Sequence, residues 1–438
     1  MSKSMNARRA ALETLIRCRR NGAWSGAAID TAIREAGLDR RDAALASRLC
    51  LSVLQNDRLC DHYIAWCCNT KLEPAVRDIL RLGICQLLFF DRIPARAAVS
   101  ETVELCRSGG YTRAAGLVNA VLRRIAENRD SLPDIPGKGT AAFLSVRYSH
   151  PLWLCERLTE EKGYAFAEAF LKRNNQEPEL FLQVNTLKTR PGEYIRTLEN
   201  AGIPCREIEP EGCIALRGGL ATELPGYAEG LFYVQDRAAR MAVEIAAPEP
   251  GMRVLDACAC PGGKSFAAAI RMEDRGEILS CDIHEKKLRL LESGAERLGI
   301  GIIHTQAMDA RAYDAALEAG FDLVIADVPC SGLGVIAKKP EIRAKTPESL
   351  RGLPDIQAAI LENLSRYVKP GGVLLYSTCT ILREENEAVV SAFLDKHSAY
   401  RTEAFSLCGI DGSAGMYTFW PSVDGTDGFF AAKLRRTV

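Results

Sequence analysis

The chain has 438 residues, of which 47% are hydrophobic and 26% charged, with Lys plus Arg and Asp plus Glu balanced at 56 each. That is the mix of a soluble globular protein long enough for two or three domains. No apolar run reaches the roughly 18 residues of a membrane span, and the opening M-S-K-S-M-N-A-R-R-A lacks the apolar stretch of a signal peptide, so a cytoplasmic location and no membrane partner are expected.

The sixteen cysteines are diluted over a long chain without an export signal, so they are expected to be reduced. No C-x-x-C occurs and the five histidines (His62, His150, His284, His304, His397) are scattered, which argues against zinc and any other metal. Most of the thiols, the adjacent Cys67 and Cys68 included, read as small core hydrophobes.

In chain order, residues 1–130 carry 21 Lys plus Arg against 14 Asp plus Glu, so this part is basic and the remainder acidic by the same amount. A basic module of this kind suits a polyanion such as RNA, although a solvated arginine-rich surface gives the same count. A-A-L-E-T-L-I-R, A-A-L-A-S-R-L-C-L-S-V-L and A-V-R-D-I-L-R-L-G-I-C-Q-L-L-F-F repeat apolar residues at helical spacing. With breaks at Gly22, Gly37, Pro74, Pro94 and Gly109 to Gly110, the spacing predicts about six or seven helices between residues 5 and 128.

Residues 131–140, S-L-P-D-I-P-G-K-G-T, read as a linker. A small α+β domain is expected over 141–235, with one helix from about Pro151 to Lys172, a strand at F-L-Q-V-N-T and short strands near 213–217 and 231–235. Over 236–438, strand and helix patterns alternate: R-V-L-D-A, E-I-L-S-C-D, G-I-I-H-T-Q, F-D-L-V-I-A-D-V and G-V-L-L-Y-S-T. The alternation predicts a doubly wound, mostly parallel, Rossmann-like sheet.

The first of these strands runs into V-L-D-A-C-A-C-P-G-G-K-S-F (254–266), a glycine turn followed by a helix. This is neither the dinucleotide fingerprint nor the phosphate loop, so a nucleoside ligand without pyrophosphate fits better. Asp282 ends the second strand, where a carboxylate can accept both ribose hydroxyls, and Asp309 follows the third, within reach of an adenine amino group. Together these features read as an S-adenosyl-L-methionine site.

The fourth strand ends in A-D-V-P-C-S-G-L-G (326–334) and the fifth in Y-S-T-C-T (376–380). Methyltransferases acting on an exocyclic amine usually carry an acid or amide followed by Pro-Pro and an aromatic residue at the first of these points. Here a thiol, Cys330, follows Pro329. A thiol beside a methyl donor suits cytosine C5, which is a nucleophile only after a thiolate has added to C6. Two cysteines suit a scheme in which one attacks and the other helps release.

On these motifs, with E-E-N-E (384–387), D-G-F-F-A-A-K-L (427–434) and Q-D-R-A-A (235–239), the chain resembles the RNA cytosine-C5 methyltransferases that act on 16S ribosomal RNA. The resemblance covers essentially the whole chain, and the helical front end looks like the RNA-binding NusB fold. It implies an all-helical NusB-like domain and a small α+β domain preceding a Rossmann-like S-adenosylmethionine-dependent methyltransferase domain. It further implies 16S ribosomal RNA as substrate and 5-methylcytosine as product; a monomer is expected.

Carried over, the resemblance makes Cys379 the nucleophile and Cys330 the thiol that assists release. Cys258, Ala259, Cys260, Pro261, Gly262, Gly263 and Lys264 would line the methionine end of the cofactor. Asp282 would bind ribose and Asp309 adenine, and Asp327 would stand between cofactor and base, bonding cytosine N3 or its amino group. Cys260 stands where the family carries alanine, and V-I-A-K-K-P-E-I-R-A-K (335–345) replaces a common Arg and Asp with Lys and Glu. Lys338, Lys339, Arg343 and Lys345 in that stretch are candidates to grip phosphate. Trp24, Trp66, Trp153 and Trp420 read as core or interface residues rather than base-stacking platforms. A non-catalytic RNA-binding assembly factor on the same fold is the alternative, and a DNA methyltransferase would lack S-T-C-T.

Overall fold

Six helices realise the apolar spacing of the first 130 residues in this computed structural model, which describes residues 6–21 and 25–438. They are α1 (Ala7–Asn21), α2 (Ser25–Ala36), α3 (Arg40–Cys67), α4 (Pro74–Phe89), α5 (Ala95–Ser108) and α6 (Ala115–Glu127). The breakers act as expected: Gly37 follows α2 with φ of 59°, Pro74 opens α4, Pro94 caps α5 and Gly109 ends it. Asp39 caps α3 by accepting the Asp42 N–H at 2.8 Å. The long apolar run of α4 is buried all round, so α4 is the central helix. Gly83 lets it approach α6, since a Cβ there would lie 2.7 Å from the Leu122 methyls. Gly22 and Trp24 lie outside the described residues.

The chain divides into two compact units, Met1–Gln176 with Ile336–Pro347 and Glu177–Val335 with Glu348–Val438. The first unit continues through α7 (Ala141–Arg147), α8 (Leu152–Lys162) and α9 (Tyr164–Arg173). The single helix expected over 151–172 is therefore two. Gly163, at φ 84° and ψ 159°, takes a backbone that no helix contains and that side chains resist.

Arg343 also departs from expectation. It is 7% exposed, and its guanidinium donates to the carbonyls of Gln55 (2.7 Å), Ser149 (3.5 Å) and Asn174 (3.3 Å) and to Asn175 Oδ1 (2.6 Å). It fastens the first unit together and is not a phosphate grip, and burial lowers its pKa to about 9. Lys338 and Lys339 are exposed. Trp66 packs against the helical core under Arg124, 4.1 Å over its ring, and Trp153 donates its ring N–H to the Lys345 carbonyl at 3.1 Å.

The second unit opens with a small antiparallel sheet of β1 (Glu179–Val184), β2 (Cys205–Ile208), β3 (Cys213–Arg217) and β4 (Phe232–Val234), in the order β2-β3-β1-β4. Helix α10 (Pro191–Asn200) buries Tyr194 and Leu198 against it. Neither β2 nor α10 is among the elements expected from the sequence.

Five parallel strands follow, β5 (Arg253–Asp256), β6 (Glu277–Asp282), β7 (Ile303–Ala307), β8 (Phe321–Asp327) and β9 (Val368–Thr378), with helices α11 (Arg237–Ala246), α12 (Gly263–Arg271), α13 (Glu285–Leu298), α14 (Pro347–Leu350), α15 (Leu353–Ser365) and α16 (Glu387–Leu394) before, between and after them. The chain ends through β10 (Tyr400–Thr402), a β11 (Phe405–Leu407) and β12 (Ile410–Gly412) pair, β13 (Met416–Phe419), a turn of helix α17 (Pro421–Asp424) and β14 (Phe429–Arg436). The main sheet is ordered β10-β14-β9-β8-β5-β6-β7, with β13 beside β14.

Successive residues face opposite sides of this sheet. Val254, Leu323, Ile325 and Leu375 share one core with residues of α11, α12 and α13, while Leu255, Val324, Ala326 and Tyr376 share the other with α15 and α16. Strand order reverses between β5 and β8, so the carboxyl ends of β5, β8 and β9 open together at the switch point where doubly wound sheets bind ligands. Among the described residues no helix is long and apolar enough to cross a membrane.

Candidate active site

At the end of β5 the chain turns through Cys258 to Gly262 into α12. Gly262 holds φ at 116°, and a Cβ there would lie 2.5 Å from the Phe266 ring, so the turn admits only glycine. Asp256 is buried beneath it, accepting the Ser265 hydroxyl at 2.7 Å, with Ser280 Oγ 2.8 Å from Ser265. Burial raises the Asp256 carboxyl to about 6 against the opposing pull of Ser265 and Lys264.

Lys264, 8% exposed on the first turn of α12, reaches across the switch point to place Nζ 2.6 Å from Asp327 Oδ2. The same ammonium lies 5.1 Å over the Phe429 ring. Asp327 Oδ1 accepts the Ser377 hydroxyl at 2.8 Å, so β9 and α12 together hold the carboxylate at the end of β8.

Cys330 and Cys379, from the loops that follow β8 and β9, meet with their sulfurs 3.3 Å apart and both partly exposed. The Cys379 sulfur first, then burial, pushes the Cys330 thiol well up. The two loops are bound at several points. Gly334 N–H donates to the Cys379 carbonyl at 3.0 Å, and Gly428 N–H to the Gly334 carbonyl at 2.8 Å, an approach so close that a Cβ on Gly334 would strike the Gly428 carbonyl. Asn386 spans Cys379, accepting from Thr378 Oγ1 at 2.6 Å and donating to the Thr380 carbonyl at 3.2 Å.

On the other side of β5, Asp282 Oδ1 accepts the His284 N–H at 2.8 Å, and the Met308 N–H donates to the Asp282 carbonyl at 3.1 Å, so the ends of β6 and β7 adjoin. Burial and the Asp282 carboxylate push Cys260 up to about 12. Burial, then the charges of Asp256, Asp327 and Asp282, push Cys258 up as well. Both thiols therefore stay protonated at neutral pH, unlike an activated nucleophile. Asp309 is not a bare acceptor: Arg311 grips both its oxygens, at 3.0 and 2.7 Å, and holds its pKa down.

The structure thus gathers Lys264, Asp327, Cys330 and Cys379 at the switch point, with Asp256 beneath the turn of residues 258–262 and Asp282 beside Cys260. Asp256, Ser265, Ser377, Gln357 and Glu385 were not singled out from the sequence, though all but Gln357 lie within its motifs. Among the described residues, no group of three or more His, Cys, Asp or Glu could hold a metal ion.

The family model for the 16S rRNA methyltransferase RsmB/F matches residues 243–435, the span that contains all of these groups. The probable ribosomal RNA small subunit methyltransferase B of Bacillus subtilis is 32% identical over 99% of both chains. The chain belongs to the RsmB/F family. Its front end matches the NusB family over residues 5–127, and residues 150–222 match the ferredoxin-like domain of the RsmF/B-like methyltransferases.

Among solved structures, that of PH0851 superposes with a TM-score of 0.81 at 26% identity, covering 99% of each chain. NSun6 from Pyrococcus horikoshii, solved with the S-adenosylmethionine analogue SFG, shares the fold at a TM-score of 0.57 and 22% identity over 65% of this chain and 98% of its own. The chain is accordingly a Rossmann-like, S-adenosyl-L-methionine-dependent methyltransferase of the ribosomal RNA small subunit family, with NusB and ferredoxin-like domains ahead of the catalytic one.

Proposed function

We propose that this protein methylates C5 of a cytosine in 16S ribosomal RNA through a covalent bond between Cys379 and C6. The observation that carries the reading is the pair of thiols 3.3 Å apart at the ends of adjacent strands, beside a carboxylate held by Lys264. The residues fit the cofactor. A glycine turn too tight for any side chain, the partly exposed Asp282 at the end of β6, and neutral thiols at Cys258 and Cys260 together suit an uncharged nucleoside and a methionine tail.

Cys258, Ala259, Cys260, Pro261, Gly262, Gly263 and Lys264 are the residues for the methionine end, Asp282 for the ribose and Asp309 for the adenine, where Arg311 must share its carboxylate. When bound, the cofactor supplies an electrophilic methyl group to C5. The Cys379 thiolate adds to C6, forming a C–S bond and moving the ring electron pair to C5. Asp327 accepts the cytosine amino group or bonds N3, fixing the base for attack. After methylation, a base takes the C5 proton, that electron pair restores the C5–C6 double bond, and the C6–S bond breaks to return Cys379 as thiolate. Cys330, in contact with Cys379, assists this release.

The helical front end (1–130), joined by the linker (131–140) to the connecting domain (141–235) and the catalytic domain (236–438), supplies an excess of seven positive charges to hold RNA phosphates. The proposed setting is a cytoplasmic monomer. Incubation with methyl-labelled cofactor and unmethylated small-subunit RNA, followed by nucleoside analysis, should yield labelled 5-methylcytosine. Label on an exocyclic nitrogen or a ribose oxygen would refute the reading.

A further inference from the structure

Glu385, in the E-E-N-E stretch behind Cys379, is an acid only 1% exposed. Its Oε2 accepts the Ser331 N–H at 2.8 Å and Gln357 Nε2 at 2.9 Å, and its Oε1 lies 3.5 Å from Thr380 Oγ1. Ser331 follows Cys330 and Thr380 follows Cys379, and their hydroxyls meet at 2.6 Å. Gln357 donates also to the Pro329 carbonyl at 3.0 Å, so one carboxylate reaches the residues on both sides of Cys330 and the residue after Cys379.

All of these donors are neutral. Burying an anion against neutral donors is costly, and a glutamine of the same shape would accept the same backbone N–H without the charge. The charge itself therefore needs a reason, and the thiol pair supplies one. Two sulfurs in contact share their protons, and which of them ionises depends on the charges around them. We propose that Glu385 is a positioning residue that ties the two cysteine loops together and lays an uncompensated negative charge against Cys330, so that Cys330 keeps its proton and Cys379 is left to attack. The direction of the Cys330 shift, raised in part by Glu385, agrees. The inference rests on the cytosine-C5 reading for what the thiols do, but the arrangement can be probed without RNA.

Alkylation of Cys330 by iodoacetamide, followed on its own peptide by mass spectrometry across pH, reads the charge in Cys379→Ser and in Cys379→Ser/Glu385→Gln. The midpoint should move to lower pH in the double variant. An unmoved midpoint overturns the electrostatic role. With both cysteines present, Glu385→Gln should lower kcat by about 100-fold, the order that a displaced reacting group costs, while KM for RNA and cofactor affinity stay within about twofold. A kcat near that of the wild type overturns the positioning role. Glu385→Asp keeps the charge but falls one methylene short, so it should leave the midpoint in place and still lose kcat. It serves the same purpose if the glutamine variant does not fold, since wild-type kcat in it contradicts the proposal. A wild-type protein that makes no 5-methylcytosine would sink the functional reading and leave the alkylation result standing on its own.

Discussion

Cys60 with Cys85 and Cys330 with Cys379 are two pairs of thiols in contact, set in very different surroundings. Cys60 and Cys85, from α3 and α4, approach to 3.7 Å, close to the 3.3 Å between Cys330 and Cys379. In each pair the neighbouring sulfur and burial push one thiol, Cys60 or Cys330, well up. Neither proximity nor the direction of a pKa shift tells the pairs apart.

What differs is access and wiring. Cys60 and Cys85 are fully buried in the helical core among leucines and isoleucines. Cys330 and Cys379 are partly open, stand at strand ends across a switch point, and are braced by Glu385, Asn386 and Gln357. A thiol sealed in a core acts as a small hydrophobe, whereas chemistry needs a thiol that a ligand can reach, and access is what separates the two pairs, since Arg81 and Asp57 act on Cys60 as well.

The largest effect that sharpens this contrast is on turnover. Cys379→Ser should lower kcat by at least about 1,000-fold, the order lost with a nucleophile, whereas Cys85→Ser should leave methylation unchanged. Steady-state assays on the two variants check this.

The next effect concerns the buried acid under the cofactor turn. Asp256 has a folded-state carboxyl raised to about 6 by burial from an ordinary value of 3.8. The stability it contributes is thus complete below about pH 4 and is lost as pH rises through 6, because the folded state binds the proton more tightly. Asp256→Asn should remove up to about 3 kcal/mol of pH dependence across that window, read by urea unfolding at pH 4.5 and 7. A wild-type profile as flat as that of the asparagine variant would show that Asp256 is better solvated than its burial implies.

Smaller still is the effect on cofactor binding. Asp282→Ala should weaken affinity by about 1 to 3 kcal/mol in calorimetry, as expected for a lost hydrogen bond to a charged group, and unchanged affinity would remove Asp282 from the site. The smallest effect returns to the inert pair. Cys60→Ala should cost only about 1 kcal/mol of stability, with full activity retained.

Strands β5, β8 and β9 were legible because a strand covered on both faces writes an apolar run, and the more polar β6 and edge strand β7 because they fall in the strand–helix alternation; an acid or cysteine stands at or just after the end of each. Strands β2 and β10 to β13 were not, because short edge and hairpin strands mix polar and apolar residues without a clear period, and β14 was not expected as a strand although its D-G-F-F-A-A-K-L stood out as a motif. The break at Gly163 was hidden by helical spacing that continues on both sides of one residue. Arg343 was misread because a cation in a lysine-rich loop looks solvated, and nothing local announces the carbonyls of Gln55, Ser149 and Asn174 that enclose it. Lys264 and Glu385 carry the same lesson within the site: their motifs were visible, but their partners, Asp327 and Ser331, come from strands and loops that only the fold assembles.

The division of labour between the two open thiols is tested most directly by trapping. Cys330→Ser and Cys379→Ser should each be incubated with unmethylated small-subunit RNA and cofactor, denatured, and resolved by gel electrophoresis. With Cys379 as nucleophile and Cys330 acting in release, Cys330→Ser should attack and stall, giving a protein–RNA adduct that survives denaturation, while Cys379→Ser gives none. An adduct from Cys379→Ser and none from Cys330→Ser would exchange the two roles, and adducts from neither would contradict covalent attack by this pair.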